Sequence, residues 1–111
     1  MIKELTIQNI EAEVLESDKP AVVKFVSDNC HLCVALEPVA ERLHTKYKDK
    51  FNFYNVNTKE QEKLTEIFSD DGVPTIYIFK DGDAVEIPYP ERPDEKTGYS
   101  EEYLDEYLNN H

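Results

Sequence analysis

Cysteine, positive charge and long apolar runs are all scarce in this sequence. Only two cysteines occur in 111 residues, whereas a small secreted domain held together by disulfides needs more of them, at wider spacing. No apolar run approaches the ~20 residues of a membrane-spanning helix. Lysine and arginine number 12 against 24 acidic residues, for a formal net charge of −12. That surplus repels phosphate backbones and anionic lipid, which argues against nucleic acid and against a membrane surface as partners. It serves solubility, and it would steer in a basic protein. The opening Met1-Ile2-Lys3-Glu4-Leu5-Thr6 has neither the basic start nor the apolar stretch of a secretory signal, so a cytoplasmic address is expected.

The length suits one domain over residues 1–111. A domain of this size buries about 65% of the surface its unfolded chain exposes, enough for a real core. Thr6 can cap a helix over residues 7–17, with Ile7, Ile10, Val14 and Leu15 on one face. Ala21-Val22-Val23-Lys24-Phe25-Val26 reads as a buried central strand. A long helix is expected over residues 30–49, with Leu36, Val39, Ala40, Leu43 and Tyr47 inward. A strand over 51–57 comes next, then a helix over 59–69 carrying Leu64, Ile67 and Phe68. Thr75 to Phe79 is a third strand, and Asp81-Gly82 should turn it into an antiparallel partner over residues 83–89. Pro88 and Pro90 cannot donate to a ladder, which puts that partner at an edge. Ser100 starts a final helix with Tyr103, Leu104, Tyr107 and Leu108 inward. Strand–helix alternation ending in a hairpin implies an α/β fold, a mixed central sheet with helices on both faces.

The chemistry lies in Cys30-His31-Leu32-Cys33, where a strand gives way to a helix. Positions i and i+3 share a helix face, so the two sulfurs can close a short disulfide. The helix N-terminus offers free N–H groups and partial positive charge, and both favour a thiolate, the nucleophilic form. Cys30, nearer the helix start and the surface, is the expected attacking thiol; Cys33, a turn deeper, is the expected resolving one. A structural zinc site needs four ligands, and the chain offers at most these two cysteines and the scattered His31, His44 and His111 as sulfur and nitrogen donors. No metal and no cofactor are therefore expected.

Together these features resemble the thioredoxin family over nearly the whole chain. Pro38 falls where that family kinks its second helix. Gly72-Val73-Pro74-Thr75 matches its cis-proline segment, 44 residues beyond Cys30, and Phe79-Lys80-Asp81-Gly82 matches its hairpin. The resemblance implies the thioredoxin fold, a cis Pro74 against the Cys30–Cys33 pair, and a Val73 backbone open to an extended substrate. It places Asn29 where the family usually has an aromatic, and His31-Leu32 where Gly-Pro is common. Lys24 stands in the place of the family's buried acid, six residues before Cys30, and tryptophan is absent altogether.

The expected activity is thiol–disulfide exchange with protein substrates, with a disulfide-containing protein and an upstream thiol reductase as partners and the chain acting as a monomer. The alternative is a redox-inert or metal-bridged adaptor of the same fold that only binds a partner. His31 either stabilises the Cys30 thiolate as an imidazolium or is a solvated histidine offset by Asp28. Lys24 either packs its stem while its ammonium reaches water or a carboxylate, or is a desolvated proton acceptor for Cys33. The stretch 88–99 flanks the substrate groove in this fold; it either selects a partner or is a loop of variable length.

Overall fold

A computed structural model describes residues 2–68 and 72–111. Five strands form one sheet: β1 (Lys3–Glu4), β2 (Ala21–Val26), β3 (Asn52–Asn57), β4 (Thr75–Lys80) and β5 (Asp83–Glu86), in the order β1-β3-β2-β4-β5. The first three run parallel, and β4 is antiparallel to both β2 and β5. Three α-helices accompany them: α1 (His31–Lys46), α2 (Glu62–Phe68) and α3 (Glu101–Asn109).

Alternation along the strands divides the core in two. Val22, Phe53, Ile76 and Ile78 face Leu36, Val39, Ala40 and Leu43 of α1 and Leu104 and Leu108 of α3. Val23, Phe25, Val56, Tyr77 and Phe79 face the other way, against Val14 and Leu64. The sheet is mixed and covered on both faces, as the order of elements implied. Asp81 and Gly82 both have positive φ, 52° and 85°, the backbone that a two-residue hairpin of this kind requires.

Several element expectations need correction. The Thr6 cap is present, since its hydroxyl accepts from Asn9 N at 3.1 Å while Asn9 Oδ1 accepts from Thr6 N at 2.7 Å. The segment after it is not a regular helix but a π-helical turn, Glu11–Leu15, closed by Glu16 N to Glu11 O. Within it Val14 is buried while Leu15 is exposed, and Ile7 ahead of it is exposed too. Helix α2 starts late because Asn57 Oδ1 holds Lys59 N and Glu60 N in a side-chain turn. Leu64 and Phe68 set its inward stripe and Ile67 is exposed; Ser69, its expected last residue, lies outside the described residues. Helix α1 ends at Lys46 because Tyr47, Lys50 and Phe51 tighten the chain into a turn. Strand β5 stops at Glu86: Ile87 N still donates to Ile76 O at 2.8 Å, and Pro88 has no N–H to continue. Strand β1 escaped the sequence pattern, because two residues cannot show an alternation. Buried Ile2 and Leu5 flank it.

The stretch 88–99 is a closed, tied-down turn. Asp94 and Gly98 exchange both backbone hydrogen bonds, Asp94 Oδ1 accepts from Lys96 N and Thr97 N, and Tyr103 Oη donates to Pro88 O.

Candidate active site

Strand β2 delivers the chain to the site. After Val26 it leaves the sheet, turns with Cys30 N on Ser27 O, and enters α1 with Cys30 as the N-cap. Cys30 has extended backbone, φ −95° and ψ 104°, and its sulfur accepts from Cys33 N at 3.1 Å. The two cysteines form a disulfide with their Cα atoms 5.2 Å apart. Their surroundings differ: Cys33 is buried and Cys30 is half-buried. The cap places Cys30 Sγ among the unpaired N–H groups of the first turn, where the helix dipole favours a negative sulfur.

Asn29 and His31, on either side of Cys30, are both exposed. Val34, one residue past Cys33, is exposed as well, an apolar spot beside the disulfide. Thr75, the first residue of β4, sits in register with Phe25 near the end of β2, so Val73 and Pro74 come to the same end of the sheet as the cysteines. The Val73–Pro74 bond is cis; Pro74 is buried and Val73 half-buried. Thr75 Oγ1 closes this turn by donating to Gly72 O at 2.5 Å.

Lys24 lies beneath, in the middle of β2 on the face that meets α1, with only 4% of its side chain exposed. Its Nζ is 2.7 Å from Oε2 of Glu37 on α1. The other oxygen, Oε1, accepts from Nδ2 of Asn55 at 3.2 Å. Asn55 is the register partner of Lys24 across β2 and β3, so two neighbouring strand residues grip one helix carboxylate. Asn55 Oδ1 is buried with no hydrogen-bond partner among the described residues. The carboxyl of Glu4, on the adjoining edge strand, is raised above its ordinary value, first by burial and then by Glu60, Glu37 and Asp28, with Lys24 opposing. Negative charge thus crowds this end of the sheet.

Of the residues singled out from sequence, Cys30, Cys33, Asn29, His31, Val73 and Pro74 gather at one end, with Lys24 on the strand leading there. Glu37 and Asn55 were missed. Their signal was indirect: a lysine in a buried strand needs an acid, and Glu37 stands one helical turn after Cys33. Among the described residues no group of three His, Cys, Asp or Glu is placed to hold a metal ion.

The family model "Thioredoxin" matches residues 1–99. Thioredoxin M4, chloroplastic, of Arabidopsis thaliana is 36% identical over 73 residues, 66% of this chain and 38% of that protein. A thioredoxin of Peptoclostridium acidaminophilum is 36% identical over 86 residues, 78% of each chain. Thioredoxin X, chloroplastic, of Arabidopsis thaliana is 34% identical over 109 residues, 97% of this chain and 59% of that protein.

Proposed function

The chain belongs to the thioredoxin family and is a thiol–disulfide oxidoreductase, and we propose that it exchanges dithiol for disulfide with protein substrates by attack of Cys30 and resolution by Cys33. The observation that carries this reading is the asymmetry of the pair: one sulfur half-buried at the cap of α1, the other buried a turn deeper. The Cys30 thiolate attacks a substrate sulfur, one substrate thiolate leaves, and a mixed disulfide forms. Cys33 loses its proton and attacks Cys30 Sγ, the intramolecular disulfide closes, and the second substrate thiol departs. Two electrons pass from the dithiol to the substrate, and an upstream thiol reductase restores them.

Val73 and Pro74 border the surface on which an extended substrate lies, with Asn29 on its opposite side. His31 tunes the Cys30 thiolate, and Lys24, through its ion pair with Glu37, belongs to the proton circuit of Cys33. The catalytic unit is residues 1–111 acting as a monomer in the cytoplasm, without a prosthetic group. The formal charge of −12 disfavours nucleic acid and membrane surfaces and suits a substrate with a basic face. Among the described residues no helix is long and apolar enough to cross a membrane.

Reduction of a protein disulfide with dithiothreitol as electron source tests the reading. Turnover by the native chain that vanishes in Cys30→Ser supports it. A native chain that binds the substrate without reducing it would return the fold to a binding role.

A further inference from the structure

The geometry points to Glu37 as the proton acceptor of Cys33, with Lys24 and Asn55 as the residues that position its carboxylate. This rests on the reading of Cys33 as the resolving thiol, and it identifies the group that makes resolution possible. Cys33 is buried and cannot hand its proton directly to bulk water. Within α1, Glu37 is one turn further on, at i+4 from Cys33. Such positions share a face with Cβ atoms about 5–6 Å apart, and helical side chains lean back toward the N-terminus, so Glu37 leans toward the turn that holds Cys33. Its grip by Lys24 and Asn55 fixes it on the sheet side of the helix. The carboxylate is partly open to solvent, 41% exposed against 4% for Lys24, so a proton it accepts has a way out.

Asn55 suits both protonation states. Its Nδ2 donates to ionised Glu37, and its buried Oδ1 is unpartnered among the described residues. Rotating the amide presents Oδ1 to the O–H of a protonated Glu37. Lys24 on β2 pairs with this carboxylate, and Glu4 on β1 feels its charge together with those of Asp28 after β2 and Glu60 after β3, with Glu41 a turn further along α1. During resolution the proton passes from Cys33 Sγ to Glu37, and the S–S bond between Cys33 and Cys30 forms. The bond between Cys30 and the substrate sulfur breaks, and that sulfur leaves as a thiolate.

The test mixes reduced protein with one equivalent of the chromogenic aryl disulfide dithiobis(nitrobenzoate) in a stopped-flow cell. The first equivalent of aryl thiolate reports capture by Cys30, and the second reports resolution by Cys33. Glu37→Gln should leave the first phase unchanged and slow the second by roughly 10²–10⁴-fold at neutral pH. The deficit should shrink at alkaline pH, where the thiol ionises unaided. Glu37→Asp, which keeps a carboxylate, should retain the native shape of the pH profile and covers the case in which the glutamine variant does not fold. A second phase in Glu37→Gln with native rate and pH profile overturns the inference, and so does a slowing by one constant factor at every pH. Failure of the native protein to show a first phase would instead defeat the parent reading of Cys30, and the inference with it.

Discussion

The Nζ of Lys24 lies 2.7 Å from Oε2 of Glu37, joining a fully enclosed strand cation to a helix anion that still touches water. The two ends of this pair are therefore not equivalent. Removing the carboxylate strands an ammonium in the core, whereas removing the ammonium leaves a carboxylate that solvent can reach. Glu37→Leu should cost about 2–4 kcal/mol and Lys24→Met distinctly less, with the double variant recovering most of the loss. Urea midpoints of the four proteins check this. A larger cost for Lys24→Met than for Glu37→Leu would contradict it.

Cys33→Ser should accumulate the mixed disulfide between Cys30 and substrate, because nothing remains to expel the substrate thiol. Iodoacetamide at neutral pH should label the reduced native protein first at Cys30, the helix cap, and not at buried Cys33. Mass spectrometry of the labelled peptide decides the order. Preferential labelling of Cys33 would reverse the two roles.

His31 stands exposed beside the cap cysteine, where the family commonly has glycine. An imidazolium there stabilises the thiolate and so the dithiol form. The couple should lie above the thioredoxin value of about −270 mV, toward the −180 mV of protein disulfide isomerase. Replacing His31 with Gly should lower it by about 30 mV, or 1.4 kcal/mol for two electrons. Equilibration with glutathione buffers measures both proteins. Identical potentials would show that Asp28 and the surrounding acids cancel the histidine.

The strand and helix periodicities were legible wherever burial is one-sided. Leu36, Val39, Ala40 and Leu43 occupy the inner face of α1 as their spacing demands, and Ser100 caps α3 by accepting from Tyr103 N. The features hidden in the sequence were non-local or irregular. A two-residue edge strand carries no alternation, and a π-helical turn has no composition of its own. The Glu37 partnership joins residues 13 apart in sequence through the docking of α1 on β2, which no local pattern encodes. Lys24 was conspicuous as a lysine inside an apolar strand, but its partner became identifiable only when the helix face was known.

Gly98 holds a position that disfavours a side chain. Its φ is +77°, and a Cβ there would meet Tyr89 Oη at 2.8 Å. Gly98→Ala should cost about 1–2 kcal/mol from backbone alone, with the clash added. Tyr89→Leu in the same chain should relieve the clash and leave the backbone cost. Cys30 alkylation should be unchanged in both, since this turn holds no reacting group. A Gly98→Ala protein of native urea midpoint would contradict the account.

The response to acid depends on carboxylates shifted in opposite directions. Asp105 on α3 is lowered by the hydrogen bonds from Lys46 at the end of α1 and from Tyr47 just after it, and Glu101 by that from Arg42. Such groups bind protons more readily in the unfolded chain. Their contribution is present above the ordinary values of about 3.9 and 4.3 and is lost as pH falls through the lower folded values. Glu4 has the reverse sign: burial raises it in the folded protein, so protonation there favours folding as pH falls toward its raised value. The urea midpoint should therefore hold or rise slightly from pH 7 to about 5 and drop below about 4. Glu4→Gln should flatten the first part of that curve, and Arg42→Ala with Lys46→Ala should soften the second by removing the partners that hold α3 to α1. A native midpoint that falls steadily between pH 7 and 5 would show that carboxylates with lowered values do not dominate only at the acid end, and would remove Glu4 from the balance.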